Sequence, residues 1–374
     1  MKAAFKKTLL SAATSIALAG VAVHAVAADT IKIAMAGPVS GPVAQYGDMQ
    51  FIGAKMAIKR INDAGGVDGR QLEGVVFDDA CEPKQAVAVA NRIVNEGIRF
   101  VVGHLCSGST QPASDIYEDE GVMMITPAST SPAITERGYE MIFRTIGLDN
   151  MQGPVAADYI IHHAKPERVA VIHDKQQYGE GIATAVRQGL EEAGVDVVMF
   201  EGITAGDKDF SGLISKMARE KVDFVYYGGY HPELGLILRQ SRDAGFDAQF
   251  MGPEGVGNPD ITAIAGDASE GLLVTLPPSF DEDPRNADLV KAFKANDEDP
   301  SGPFVMPAYA AVQVMADGIE GADSTDPYDV AEYLRSHTFD TPIGQVAFDE
   351  KGDLKSFRFV VYNWHKDGSK TPAN

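Results

Sequence analysis

From Asp29 onward the chain alternates between two periodicities of apolar residues. Ile31, Ile33 and Met35 recur at every second position and predict a strand. Ala54, Ala57, Ile58 and Ile61 recur at helical spacing and predict a helix stopped by Gly65-Gly66. A second strand, Leu72 to Phe77, ends in Asp78-Asp79, and Ala86, Val89, Ala90 and Ile93 mark a second helix before Gly97. A third strand runs from about Ile98 to Gly103. After the polar turn Cys106–Thr110, Gln111-Pro112 is expected to open a helix, with Ser109 or Thr110 as N-cap. Val122–Ile125 is the fourth strand, ending in Pro127-Ala128-Ser129-Thr130. Strands alternating with helices predict a parallel sheet covered on both faces.

The pattern restarts after Asp149-Asn150. It predicts helix 152–164, strand 169–173, a turn through Tyr178 to Gly181, a helix carrying Ile182, Val186 and Leu190, and strand 195–200. Helix 210–219, strand 222–227, helix 233–243, strand 249–252 and a turn at 253–257 follow. The halves share this architecture without a residue-level repeat. Beyond about Leu276 the pattern changes to helices near 286–296, 305–320 and 327–336. A hairpin-like ending follows, with strands Gly344–Phe348 and Phe357–Trp364 joined by Asp349–Asp353. The late helices must pack on the first unit, so the chain is expected to cross between units more than once.

The N-terminus changes the picture. Lys2, Lys6 and Lys7, an apolar run from Leu9 to about Val23, and Ala25-Val26-Ala27 read as a secretory signal, residues 1–27, cleaved near Ala27. The formal net charge of −21 becomes −24 without the three signal lysines, which argues against nucleic acid or anionic lipid as a partner. In an exported chain the only two cysteines, Cys81 and Cys106, read as a disulfide, worth roughly 3 kcal/mol on chain-entropy grounds. Two cysteines make a poor zinc site. The clusters Asp281–Asp283 and Asp297–Asp299 read as solvated loops, without EF-hand spacing. No metal or cofactor is expected.

Six turns fall where strands end, around Tyr46, Cys106-Ser107, Ala128–Thr130, Tyr178, Tyr230 and Glu254. Taken singly these are ordinary surface loops; ligands of open α/β sheets, however, sit at carboxyl ends. A zwitterionic guest fits this set. Hydroxyls of Ser107 and Thr130 and N–H groups of Ser107, Ala128 and Thr130 would receive its carboxylate, and Glu254 its ammonium. Tyr46, Leu105, Tyr178, Tyr230 and Phe304 would wall an aliphatic side chain, whose burial contributes ~2–3 kcal/mol. Catalytic readings are weaker. Cys106 is claimed by the bridge, Ser107 does not sit in a G-x-S-x-G elbow, and the glycines at 252–257 do not follow the dinucleotide pattern. His162-His163 reads as a solvated helix face and Trp364 as core.

Longer runs carry a resemblance. Asp78–Val87, Gly103–Ser107, Ser114–Gly121, His173–Gly181, Phe224–Glu233, Met251–Val256 and Asp349–Leu354 resemble the periplasmic leucine/isoleucine/valine-binding proteins of ABC transporters. The resemblance implies two flavodoxin-like three-layer α/β/α domains, the type I periplasmic binding fold, joined by three hinge crossings. It divides the chain into an N-terminal lobe of residues 28–148 plus 278–357 and a C-terminal lobe of residues 149–277 plus 358–374. It implies ligand contacts from Tyr46, Ser107, Ala128, Thr130, Tyr178, Tyr230 and Glu254, beside which Leu105, Cys106 and Phe304 stand as further candidates, with Asp149 near the hinge, and a Cys81–Cys106 bridge. Tyr46 stands where leucine-restricted relatives tend to carry Trp, and Ser107–Thr110 reads Ser-Gly-Ser-Thr where close relatives have Ser-Ser-Ser-Thr. The implied protein is a monomeric periplasmic receptor, not an enzyme. It would hand Leu, Ile or Val, with Ala and Thr as further candidates, to a membrane permease. Rival readings are a different amino-acid or amide ligand, a hydrolase using Ser107 or Cys106, and a sensory receptor partner.

Overall fold

The computed structural model describes residues 30–373, so the signal segment read at 1–27 lies outside the described residues. Two separate sheets organise the chain. The first contains β1 (Ile31–Gly37), β2 (Leu72–Asp78), β3 (Phe100–Val102), β4 (Met123–Thr126) and β5 (Ile142–Arg144), all parallel, in the order β2-β1-β3-β4-β5. The second contains β6 (Val169–His173), β7 (Val197–Gly202), β8 (Phe224–Gly228), β9 (Gln249–Gly252) and β10 (Leu273–Leu276), in the same order, β7-β6-β8-β9-β10. Each order reverses direction beside its first strand, which opens a crevice at the carboxyl ends of β1 and β3 and again of β6 and β8. Strands β3, β4, β6 and β8 are buried along their whole length, as expected of sheets covered on both faces.

Helices α1 (Ala44–Asp63), α2 (Pro83–Asn95) and α3 (Ser107–Asp119) follow the first three strands. In the second unit come α4 (Asp149–Tyr159), α5 (Gln177–Glu192), α6 (Ser211–Arg219), α7 (His231–Asp243) and the short α8 (Asp260–Ala265). The late helices α9 (Ala287–Ala295), α10 (Val305–Ala322) and α11 (Pro327–Ser336) return to the first unit, where Val312, Val314, Met315 and Leu334 join the core of the first sheet. Gly53 of α1 makes this packing close, since a Cβ there would lie 2.0 Å from the Val305 carbonyl oxygen. The fold is that of two flavodoxin-like α/β lobes.

Three expectations change. First, α3 begins at Ser107, with Cys106 as its extended N-cap, so Ser109 and Thr110 lie inside the helix and Gln111-Pro112 does not open it. Pro112 lies inside the helix, where it removes one backbone bond and crowds the carbonyl of Gly108. Second, α1 and α5 start earlier than their turn residues suggested, which puts Tyr46 and Tyr178 on first helical turns. Gly47 permits this in α1, because a Cβ there would collide with the Pro38 carbonyl at 1.8 Å. Third, the predicted terminal hairpin is divided between lobes. Strand β12 (Gly344–Ala347) pairs with β11 (Thr338–Thr341), whereas β13 (Val360–Trp364) adds antiparallel to β10 and pairs with β14 (Lys370–Pro372). The Asp349–Leu354 loop between them is held at β5 instead, where the Arg144 N–H donates to the Gly352 carbonyl at 3.0 Å. Strands β5, β10, β11 and β14 and helix α8 were not foreseen.

Candidate functional site

The carboxyl ends of the two sheets face each other, and the six strand-end segments meet there. Tyr46 comes from the first turn of α1, Leu105, Cys106 and Ser107 from the β3–α3 junction, and Ala128 and Thr130 from the loop after β4. Facing them are Tyr178 on α5, Tyr230 before α7 and Glu254 after β9, while Asp149 opens α4 and Phe304 caps α10. All eleven are buried. The apolar members form one cluster with Val43, and they come from both lobes.

The crevice is bridged directly between lobes and braced within each. The Tyr46 hydroxyl donates to the Gly255 carbonyl at 2.8 Å, and the Gly255 N–H donates to the Tyr178 hydroxyl at 3.0 Å. Tyr46 packs edge-on against Phe304 at 5.4 Å and against His231 at 5.5 Å, and Tyr178 lies 5.2 Å from Tyr230. Gln177 of α5 donates to Ser131 at 3.2 Å and to Gln111 of α3. Gly255 is needed at this junction, because a Cβ would lie 2.7 Å from both the Gly229 carbonyl and the Tyr178 ring. Cys81 and Cys106 form the disulfide, Cα to Cα 5.6 Å, and the Tyr230 hydroxyl of the other lobe reaches Cys81 Sγ at 4.0 Å.

The polar lining is unusual in what it leaves unbonded. Thr130 Oγ1, both carboxylate oxygens of Asp149, Glu254 Oε2, Gln152 Oε1 and the Tyr226 hydroxyl are all buried outside good hydrogen-bond geometry, although the Thr130 hydroxyl lies near Asp149, and Gln152 and Tyr178 lie near Glu254. Buried polar groups are normally paired, so these atoms carry unused hydrogen-bonding capacity. Burial, with the Asp149 carboxylate beside it, pushes the Glu254 carboxyl up to about 8. Burial likewise pushes Asp149 to about 7, against the pull of the nearby Thr130 hydroxyl and Arg144 guanidinium. The electrostatics at this end of the crevice therefore favour a cation. At the other end the N–H groups of Ser107 and Gly108 start α3 and have no acceptor within the helix. The Ala128 N–H, expected free, lies 3.3 Å from Thr126 Oγ1.

Supporting residues escaped sequence reasoning. Arg144, fully buried on β5, pairs with Asp353 at 2.6 Å and donates to the carbonyls of Ser129 and Ser131 at 2.7 and 3.2 Å, so it grips the loop on both sides of Thr130. Gln152 donates to the Thr275 hydroxyl at 2.8 Å, which holds its amide near Glu254. A lone arginine in a strand of three residues carries no motif. An apolar stretch around it, Met141-Ile142-Phe143-Arg144, was the available signal. His162-His163 is exposed, and Trp364 is buried with its indole N–H donating to Thr262 at 3.1 Å, as expected. Among the described residues no cluster of three His, Cys, Asp or Glu is placed to hold a metal ion.

The profile of a periplasmic binding protein family matches residues 30–369. The chain belongs to this family. It is thereby a solute-binding receptor of the periplasmic binding protein type. The chain is 66% identical to the leucine-, isoleucine-, valine-, threonine- and alanine-binding protein of Pseudomonas aeruginosa, over 96% of each chain. It is 55% identical to the Leu/Ile/Val-binding protein of Escherichia coli, over 98% of each. Among solved periplasmic binding proteins, the branched-chain amino acid transporter substrate-binding protein of Streptococcus pneumoniae in complex with isoleucine superposes with a TM-score of 0.83. The match has 26% identity and covers 92% of this chain and 99% of that one.

Proposed function

We propose that this protein captures free branched-chain aliphatic L-amino acids, Leu, Ile and Val with Ala and Thr as smaller candidates, and presents them in the periplasm to the permease of an ABC importer. The observation that carries the reading is the polarised crevice: unbonded buried carboxylates at one end, outward N–H groups of α3 at the other, and an apolar wall between. A zwitterion satisfies both ends at once. Its ammonium meets Glu254, with Asp149 adding to the negative field, and its carboxylate meets the Ser107 and Thr130 hydroxyls and the Ser107 N–H. Tyr46, Leu105, the Cys81–Cys106 bridge, Ala128, Tyr178, Tyr230 and Phe304 take the side chain. One methylene discriminates by only ~1–3 kcal/mol, so several aliphatic sizes are accepted. The relatives' names point the same way.

The lobes divide at 148/149, 277/278 and 357/358, and bending at these crossings admits the ligand. Ligand gripped by both lobes shifts the population to the closed form, which the permease recognises. The receptor acts as a monomer, with no nucleic-acid partner. It is read as a receptor and not an enzyme: Cys106 is bonded to Cys81, and the Ser107 hydroxyl accepts from the Ser131 N–H at 3.4 Å. Export follows cleavage near Ala27. Calorimetric titration with Leu, Ile, Val, Ala and Thr, with glutamine and acetamide as amide controls, tests the reading. Leu, Ile and Val are expected to bind at micromolar levels or tighter, about 8 kcal/mol, and to be recovered chemically intact. Binding of amides alone, or turnover of the ligand, would overturn it.

A further inference from the structure

The loop after β2 and the loop after β3 are joined twice. One joint is the Cys81–Cys106 disulfide. The other lies two residues earlier on each loop. His104 Nδ1 is 2.6 Å from Asp79 Oδ2, His104 Nε2 is 2.9 Å from the Tyr117 hydroxyl of α3, and all three residues are inaccessible to solvent. Asp79 Oδ1 accepts from the Cys81 N–H at 2.8 Å, so the carboxylate also sets the backbone that carries one end of the disulfide. The ring is thus held at both nitrogens, between the Asp79 carboxyl and the Tyr117 hydroxyl.

The second joint reaches the ligand loops. The His104 carbonyl accepts from Thr126 Oγ1 at 2.7 Å, and Ser129 Oγ donates to the neighbouring Leu105 carbonyl at 2.9 Å. Thr126 Oγ1 in turn accepts from the Ser129 N–H at 3.0 Å, and Ser129 Oγ pairs with Thr110 Oγ1 of α3 at 2.5 Å. Displacing His104 would therefore shift the segment leading to Thr130 and the start of α3 together.

We propose that Asp79, His104 and Tyr117 form a non-covalent clamp that positions the carboxylate-receiving loops of the ligand site and stands in for the disulfide when the disulfide is absent. These are positioning residues; none of them is assigned a contact with ligand. The inference rests on the amino-acid reading above for its affinity readout. A geometric consequence follows. Either joint alone holds the loops in register, so losing one costs little and losing both costs far more than the product of the single losses.

The test is a double-mutant cycle on the full chain, with C81S/C106S on one side and Asp79→Asn on the other, read by leucine affinity. Asp79→Asn keeps the side-chain shape and removes the charge. Asp79→Asn alone is expected to weaken leucine about threefold or less, C81S/C106S, which also alters the side-chain wall, about tenfold or less, and the combination about a hundredfold or more. A combined loss no larger than the product of the single losses overturns the proposal. Two His104 variants in the C81S/C106S background separate positioning from general destabilisation. His104→Asn places an amide nitrogen near the Nδ1 position and is expected to recover most of the affinity. His104→Gln places it near Nε2, loses the Asp79 bond and is expected to fail; equal behaviour of the two also overturns the proposal. Should wild-type protein not bind leucine at all, the ligand reading falls, not the clamp. Amide hydrogen exchange over residues 104–110 and 128–131 then decides: faster exchange only in the combined variant supports the clamp, and additive changes refute it.

Discussion

Glu254 is the residue whose charge the proposed mechanism depends on most, and Glu254→Gln isolates that charge. In the closed crevice, with no cation beside it, burial and Asp149 hold its carboxyl at about 8 against an ordinary 4.5. At pH 7, closing without ligand forces the carboxylate to take up a proton, at a cost of about 3 kcal/mol. That is on the order of a hundredfold in the closed-to-open ratio. The raised value means that the ligand-free closed form is favoured as pH falls. The effect is complete below about 4.5, and it is lost as pH rises through about 8. An ammonium removes this cost by keeping the carboxylate ionised. Glutamine carries no charge, so ligand-free E254Q should close readily at pH 7, seen as a smaller radius of gyration in X-ray scattering. It should also bind leucine tenfold or more weakly by calorimetry, since a charge-assisted bond contributes about 1.5–3 kcal/mol. An unchanged radius together with leucine affinity within about twofold of wild type would refute the reasoning.

Other outcomes follow from the same geometry. Leucine affinity should fall as pH drops below about 5, where Glu254 in the open form becomes protonated; a flat profile from pH 7 to 4 in competition titrations would count against the ammonium assignment. Tyr46→Trp should narrow selectivity toward leucine, because the enlarged ring fills the wall between Phe304 and His231; equal losses for leucine, isoleucine and valine would contradict this. Arg144→Met leaves Asp353 buried without its partner and should cost about 3–5 kcal/mol in denaturant unfolding, with weaker leucine binding through the Thr130 loop; a cost below about 1 kcal/mol would show the pair to be dispensable.

Much of this was legible because apolar periodicity is a local property. The alternation around Ile31–Met35 and the spacing of Ala54, Ala57 and Ile58 reflect which faces are buried, and the structure buries those faces. The six strand ends were legible for a topological reason, since successive parallel strands in an α/β unit send their carboxyl ends to one edge. What sequence did not reveal is long-range. Strand β13 reads as half of a hairpin, yet it completes the sheet of the other lobe, because β10 offered an open edge and Asp353 was held by Arg144. The helix starts at Ala44, Ser107 and Gln177 were masked by polar and glycine-rich composition that looks like turn. Asp79 reads in sequence only as the end of the second strand, and nothing local pairs it with His104, since 25 residues separate them and no motif marks the pair.

The central claim is that a free aliphatic amino acid is held by its charged ends between the lobes, and a crystal structure grown with leucine tests it most directly. Leucine is expected in the crevice, its ammonium within hydrogen-bond distance of Glu254 and its carboxylate at Ser107 and Thr130. Leucine bound elsewhere on the molecule, or lying reversed with its carboxylate toward Glu254, would contradict the account.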